Sequence, residues 1–300
     1  MLKFAAIDIG SNAVRLLLTR VFEKDGESWS KKESLIRMPV RLGEDAFVDR
    51  KISPDKAKML IETMSGFKHL IDAYGPLNYM ACATSAMREA KNGADIVAEI
   101  RKKTGLDLQI IDGKLEAEII YSNNVVAQLN PKRGYLYIDV GGGSTELTLF
   151  TRKNSVVSKS FKIGTVRLLK DKVPDSRWKD MKNWVMQHTE GTTGLRAIGS
   201  GGNINKLFRL ANKKEHKPVS LNELKLIDKL INAYTYEDRI RLLGLRPDRA
   251  DVIIPASRIY IDVMKWADIN KIYVPQVGLA DGIVQVLYKR YRQENPAKPA

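Results

Sequence analysis

Asp139-Val140-Gly141-Gly142-Gly143-Ser144-Thr145-Glu146 is the stretch from which the fold can be read. Before it runs Tyr135-Leu136-Tyr137-Ile138 and after it Leu147-Thr148-Leu149-Phe150, both rich in the aromatic and branched residues that favour strands. The glycines therefore close a turn between two strands. A Walker-type phosphate loop or a dinucleotide fingerprint leads from a strand into a helix, whereas this turn leads back into sheet. Three glycines admit a ligand close to the backbone and expose successive N–H groups as a nest for anionic oxygens. Asp139 and Glu146 stand at the rims, where carboxylates can hold a cation or order its water shell. Read alone, the stretch is equally a glycine-rich hairpin with two solvated carboxylates.

The chain contains the same device a second time. Ala6-Ile7-Asp8-Ile9-Gly10-Ser11-Asn12 is followed by Val14-Arg15-Leu16-Leu17-Leu18, again strand, Asp-apolar-Gly turn and strand. Ile7-Asp8-Ile9-Gly10 lines up with Ile138-Asp139-Val140-Gly141. Outward from there, Asp25-Gly26 makes a second turn and Leu35 to Val40 a third strand, as Arg152-Lys153-Asn154 precedes Val156 to Phe161. Each half thus opens with a three-stranded meander whose first turn carries glycine behind an aspartate. Two such halves facing each other put two phosphate-binding turns across one cleft.

This duplicated architecture resembles the actin-like superfamily of sugar kinases, heat-shock ATPases and actin. Within it, the chain is similar to the exopolyphosphatase and guanosine pentaphosphate phosphohydrolase (Ppx/GppA) family. The segments that carry the likeness are Ala5 to Asn12, Ala83-Thr84-Ser85-Ala86-Met87-Arg88-Glu89-Ala90, Ile111-Asp112-Gly113-Lys114-Leu115-Glu116-Ala117, Ile138 to Leu147, Gly199-Ser200-Gly201-Gly202 and Arg249-Ala250-Asp251-Val252. Their order and spacing span nearly the whole chain. The resemblance implies an α/β protein of two actin-like (ribonuclease H-like) domains, each a mixed sheet opening with a meander and flanked by helices, with a cleft between them. The expected division is residues 1–125 and 126–300, the last helix, 280–293, packing back on the first domain. It also implies a phosphoanhydride hydrolase that releases terminal orthophosphate from inorganic polyphosphate, guanosine pentaphosphate or both. Long family members continue into a helical domain, and this chain has the length of the short form.

Composition agrees with a phosphate-rich substrate without identifying it. Three hundred residues and 44% hydrophobic content suffice for two ordinary cores. A formal charge of +15 draws polyanions to the surface, and a basic surface with no dedicated partner reads the same way. The lone Cys82 excludes an internal disulfide and reads as a small core residue of a reducing compartment. Neither a signal peptide nor a membrane span is expected, which places the protein in the cytoplasm. His69, His188 and His216 are scattered without ligand spacing, against a zinc site.

Along the chain, Ser53-Pro54 starts a helix whose Leu60, Ile61, Met64, Phe67 and Ile71 form a core stripe. Tyr79 to Ala83 is a buried strand that delivers Thr84 to Arg88 to its carboxyl end, where open α/β sheets place ligands. Arg88 presents a planar fork suited to phosphate, and an exposed arginine at a helix start looks identical in isolation. The resemblance makes it the family's phosphate-binding arginine. Glu116 lies in the first turn of a helix with apolar positions at Leu115, Ile119 and Val126. A glutamate there compensates the helix dipole or orients water. The resemblance makes it the catalytic glutamate, although the family commonly pairs two acids where this chain has Leu115-Glu116. Asn130 to Gly134 marks the domain boundary. Gly164 to Leu169 and Asp175 to His188 read as helices, and Leu195 to Ile198 as a strand running into Gly199 to Gly202. Lys206, Arg209, Lys213, Lys214 and Lys217 form either a solvated helix face or a rail for a long polyanion. Stacking aromatics are nearly absent there, so nucleic acid is not expected. Ser220 to Glu223 is a capping box ahead of Leu224, Ile227 and Leu230, and Asp248 to Trp266 reads as one long helix. Ile272 to Val274 is the last strand. At Ala280 the family usually has a basic residue.

The expected chemistry assigns Glu116 and Arg88 to catalysis. Gly10, Ser11, Asn12 and Arg15 of the first turn, Gly141, Gly142, Gly143, Ser144 and Thr145 of the second, and Gly201 cradle phosphates. Asp139, Glu146 and Asp8 are the cation ligands, with Mg²⁺ preferred because hard carboxylate oxygens and retained waters suit it. A homodimer is the expected assembly. An actin-like ATPase or sugar kinase, and a non-catalytic phosphate or alarmone sensor, remain open beside the hydrolase.

Overall fold

Strand pairing bears out the two meanders. The structure, a computed structural model, describes residues 1–123, 133–150, 156–214 and 216–296. The expected turns at Asn130-Pro131-Lys132 and Arg152-Lys153-Asn154, the helical position Val126 and the last four residues lie outside them. The chain divides into two compact units, Met1–Asn123 with Gly278–Ala300, and Asn124–Val277.

In the first unit β1 (Leu2–Ile9), β2 (Val14–Lys24) and β3 (Glu27–Met38) run antiparallel in succession. Asp25 and Gly26 both take positive φ, 52° and 79°, the turn whose twist matches a hairpin. β3 starts eight residues earlier than the apolar pattern at Leu35 suggests, because its residues Glu27 to Leu35 are all exposed on an edge strand and carry no alternation. The short α1 (Gly43–Ala46) and the long α2 (Pro54–Tyr74) follow. Ser53 precedes Pro54 as expected, but its hydroxyl makes no capping bond; its N–H donates to Asp45 Oδ2 at 3.0 Å. The stripe Leu60, Ile61, Met64, Phe67 and Ile71 is buried, each side chain worth roughly 1.5–3 kcal/mol on leaving water. β4 (Asn78–Ala83) lies parallel to β1, and α3 (Ser85–Glu89) and α4 (Gly93–Thr104) lead to β5 (Leu108–Ile110), parallel to β4. The sheet order is β3-β2-β1-β4-β5. After it comes α5 (Gly113–Tyr121), on which Leu115, expected on the apolar face, is 39% exposed.

In the second unit β6 (Tyr135–Val140), β7 (Thr145–Phe150) and β8 (Val156–Phe161) repeat the meander. They are followed by α6 (Thr165–Leu169), α7 (Asp175–Thr189), β9 (Arg196–Ser200) and α8 (Gly202–Leu210). Next come β10 (Val219–Ser220), α9 (Leu221–Ala233), α10 (Tyr236–Arg241), α11 (Pro247–Ala250), α12 (Ile253–Trp266) and β11 (Lys271–Tyr273). The sheet order is β10-β11-β9-β6-β7-β8. The capping box on α9 is present, with Ser220 and Glu223 bonded reciprocally. Leu230, expected inward on that helix, is 40% exposed, and Ile231 takes the core position instead. The single helix expected from Asp248 to Trp266 is two, interrupted at Asp251-Val252. Pro255 explains the break: it lacks an N–H, and the chain restarts so that the proline falls in a first turn, where none is needed. Nine of the fourteen residues of α12 are buried, and its Tyr260 donates to the Ser200 carbonyl at 2.6 Å.

The last helix, α13 (Leu279–Glu294), belongs to the first unit. Tyr291 packs edge-on against Phe4, Tyr288 donates to Glu23 at 2.7 Å, and Asp281 pairs with Lys32 at 2.7 Å. Gly282 permits the approach to α5, since a Cβ there would lie 2.0 Å from the Ile119 carbonyl oxygen.

Candidate functional site

The two glycine turns are the same structure built twice. In β1 and β2, Asp8 pairs with Arg15 and Ile9 with Val14, and the Gly10 N–H closes the turn on the Ala13 carbonyl at 3.1 Å. In β6 and β7, Asp139 pairs with Glu146 and Val140 with Thr145, and the Gly141 N–H closes on the Ser144 carbonyl at 2.9 Å. Asp8 and Asp139 are therefore equivalent positions, and so are Arg15 and Glu146.

Each turn is clamped from behind by its carbonyls. In the first, Gly43 donates to Ser11 at 2.8 Å and Arg41 to Asn12 at 3.2 Å. The clamping segment is itself pinned by Lys56, whose Nζ reaches the Arg41 carbonyl at 3.0 Å, Glu44 at 2.9 Å and Asp45 at 2.7 Å. In the second, Thr165 donates to Gly141 at 3.0 Å, Val166 to Gly142 at 2.9 Å, and the Arg167 side chain, through Nε, to Gly143 at 2.6 Å. Gly164 sits so close to this turn that a Cβ would fall 2.4 Å from the Gly142 oxygen. In a trans peptide the C=O and the following N–H point in opposite directions. Holding the carbonyls on one side therefore aims the N–H groups of Asn12 and Ala13, and of Gly142, Gly143 and Ser144, to the other. Consecutive N–H groups turned outward are the kind of arrangement that can receive an anionic oxygen.

The charges beside the two nests differ. Arg15 forms an ion pair with the buried Asp8. In the second unit two carboxylates face each other; Glu146 is 4% exposed and accepts from the Ser160 hydroxyl at 2.8 Å. The Tyr260 hydroxyl beneath them has its pKa pushed well up, first by burial and then by Asp139. Among the described residues no group of three or more His, Cys, Asp or Glu side chains gathers for a metal. Asp139 and Glu146 nevertheless suit a hard, largely hydrated cation, which takes one or two carboxylates and completes its shell with water and phosphate oxygens. Like charges directly opposite on neighbouring strands are destabilising by themselves. Asp8 already gives its carboxylate to Arg15, so a cation there would share it with a guanidinium.

Thr84 to Arg88 joins the first turn. The Thr84 N–H donates to the Ile9 carbonyl at 3.1 Å, and the Ser11 and Ser85 hydroxyls are hydrogen-bonded at 2.9 Å. Arg88 donates from Nη1 to the Ile111 carbonyl, and the same nitrogen lies 3.8 Å from Glu116 Oε2. Asp112 caps α5 by accepting from the Leu115 N–H at 2.7 Å, which places Glu116 in the first turn. The Cys82 thiol, between these groups on β4, is pushed up to about 12 by burial and then by Asp8 and Glu116. Asp8, Gly10, Ser11, Asn12, Arg15, Arg88 and Glu116 are thus brought to the β1–β4 side of the first unit.

In the second unit, Gly201 meets the turn residues. It has φ 99°, open to glycine, and a Cβ there would be 3.1 Å from Asp139 Oδ1. Thr145 is fully buried, its hydroxyl donating to the Ile163 carbonyl at 2.6 Å, so this side chain fastens the turn. Of the basic run, Lys206 donates to the Leu243 carbonyl at 2.8 Å and Lys213 pairs with Glu223, which leaves both engaged in the fold. The sequence pattern gave no role to Arg41, Arg167 or Arg249. Arg249 packs against Gly202, a Cβ there falling 2.4 Å from its Nη2. The signal available was the position of Arg167 two residues after the helix-opening Thr165, which becomes informative only when the helix is known to meet the turn.

The chain matches the Ppx/GppA phosphatase family over residues 34–290. It is 25% identical over 310 residues to "Exopolyphosphatase 1" of Mycobacterium tuberculosis, covering 94% of this chain and 87% of that one. It is 24% identical over 308 residues to "Guanosine-5'-triphosphate,3'-diphosphate pyrophosphatase" of Vibrio cholerae, covering 97% of this chain and 60% of the relative. Its fold is similar to the crystal structure of an exopolyphosphatase from Cytophaga hutchinsonii, with a TM-score of 0.80 at 23% identity and coverage of 96% and 98%. Among the described residues no helix is long and apolar enough to cross a membrane.

Proposed function

The chain belongs to the Ppx/GppA phosphatase family, and from that premise we propose that it hydrolyses a terminal phosphoanhydride, releasing orthophosphate from inorganic polyphosphate, guanosine pentaphosphate or both. The observation that carries the reading is the duplicated nest, two turns of equal register with their carbonyls clamped and their N–H groups turned outward. Phosphoryl transfer asks chiefly for positioning and charge neutralisation, and fixed N–H dipoles supply both without reorganising. The proposal assigns both nests to phosphates of one substrate.

Arg88 is the phosphate-contacting cation of the first unit, steadied by the Ile111 carbonyl. Glu116 is the general base that orients water and takes its proton. A carboxylate suits that role, and Arg88 Nη1 stands 3.8 Å from its Oε2. Asp139 and Glu146 would hold Mg²⁺ or another divalent cation. Such a cation, when bound, neutralises charge on the phosphate oxygens.

Phosphate release measured on long polyphosphate, tripolyphosphate, guanosine pentaphosphate and ATP, with Mg²⁺ and with chelator, tests the reading. Release from one of the first three in Mg²⁺ is expected. Turnover of ATP alone would replace the proposal with an actin-like ATPase, and no turnover of any of them would leave a phosphate-binding protein.

A further inference from the structure

We propose that Arg167 is a positioning residue that sets the anion affinity of the second turn, by clamping the Gly143 carbonyl and by placing a fixed positive charge behind the nest. The inference deepens the hydrolase reading but concerns anion binding, which is measurable without catalysis. Arg167 is 5% exposed and its Nε lies 2.6 Å from the Gly143 oxygen, while its own N–H reaches the Gly142 carbonyl at 3.3 Å. Side chain and backbone of one residue thus hold two neighbouring carbonyls. Because the Gly143 carbonyl and the Ser144 N–H share a trans peptide, the guanidinium decides where that N–H points.

A neutral donor would satisfy the same carbonyl at a lower desolvation cost than a guanidinium. The comparison between units shows what the charge adds. At the equivalent carbonyl of Asn12 the donor is a backbone N–H, that of Arg41, and the first turn has its positive charge at Arg15 beside it. The second turn has Glu146 where the first has Arg15, so two carboxylates stand at its rim. Those carboxylates repel an incoming phosphate. A buried cation behind the turn offsets them, and its field is screened less than that of a surface lysine.

The test is calorimetric binding of tripolyphosphate in metal-free buffer to the whole chain and to Arg167→Gln and Arg167→Lys, with thermal melts alongside. Arg167→Gln is expected to bind roughly tenfold or more weakly, the scale of one charged hydrogen bond, and Arg167→Lys to regain part of the loss. In turnover the same loss is expected in KM, with kcat changed by less than about threefold. A folded Arg167→Gln that binds tripolyphosphate as the parent does would overturn the inference. If Arg167→Gln does not fold, hydrogen exchange of the parent decides: tripolyphosphate should protect the amides of Gly142 to Ser144, and unchanged exchange there overturns the inference. A parent that binds tripolyphosphate through these amides but releases no phosphate would remove the hydrolase reading alone.

Discussion

Asp139 and Glu146 face each other across β6 and β7 at the register position that Asp8 and Arg15 occupy across β1 and β2. One ancestral-looking hairpin is thus used with opposite charge patterns. In the first unit an aspartate is neutralised by an arginine within the protein. In the second the arginine's place is taken by a second carboxylate, Glu146, which accepts from the Ser160 hydroxyl at 2.8 Å.

Glu146→Gln should therefore separate stability from activity. Removing one of two like charges directly opposite is expected to stabilise the metal-free protein by about 0.2–1 kcal/mol. Thermal melts in chelator check this. Phosphate release in Mg²⁺ should fall by at least about a hundredfold. Loss of stability with full activity would remove the pair from the cation site.

Glu116→Gln should abolish most orthophosphate release, by a factor of roughly 10² to 10⁴, and leave tripolyphosphate binding close to that of the parent. Near-normal turnover would exclude Glu116 as the base. Arg88→Lys keeps the charge but loses the planar fork that serves Ile111 and Glu116 together. Its KM should rise more than its kcat falls, read from steady-state kinetics on tripolyphosphate.

Two glycines of the first unit should respond oppositely to alanine. At Gly282 a Cβ would lie 2.0 Å from the backbone oxygen of Ile119, so α13 must move off α5, at about 1–3 kcal/mol. At Gly66, in the interior of α2, nothing lies within 4 Å of an added Cβ. Gly66→Ala should stabilise by about 0.5–1 kcal/mol through helix propensity. Urea midpoints at unchanged m-value measure both.

The capping box of α9 predicts an acid limit. Lys213 foremost, then the Ser220 N–H and hydroxyl, lower the Glu223 pKa from 4.5 to about 2. A carboxylate depressed on folding stabilises fully above its unfolded pKa and loses that contribution as pH falls through the folded one. The contribution should thus be intact above about pH 5 and gone near pH 2. The Glu223 side chain is 38% exposed, so solvent screening limits the contribution to about 1 kcal/mol or less. Denaturant unfolding of Glu223→Gln against the parent should show a gap at neutral pH that closes across that window; a gap constant from pH 6 to 2 would contradict it.

Much of the fold could be read along the chain because its signals are local. Strand, glycine turn and strand are contiguous, residues 2–24 in the first unit and 135–150 in the second, and burial of one strand face imposes the alternation that reveals it. Failures came where that rule has no purchase. The exposed edge of β3 carries no alternation, Leu230 and Leu115 have helical spacing but face solvent, and Pro255 divides a run that reads as continuous.

The sequence by itself determined two glycine hairpins, each behind an aspartate, on two α/β units, and so the identity of the groups available to a phosphate. Only the tertiary structure decided what those groups do to one another: that Arg88 leans on Glu116, that Arg15 takes Asp8, and that Arg167, far along the chain from Gly143, donates to its carbonyl. Turn geometry follows from residues a few places apart, whereas the partner of a charged side chain is set by which elements pack together, and no local pattern encodes that.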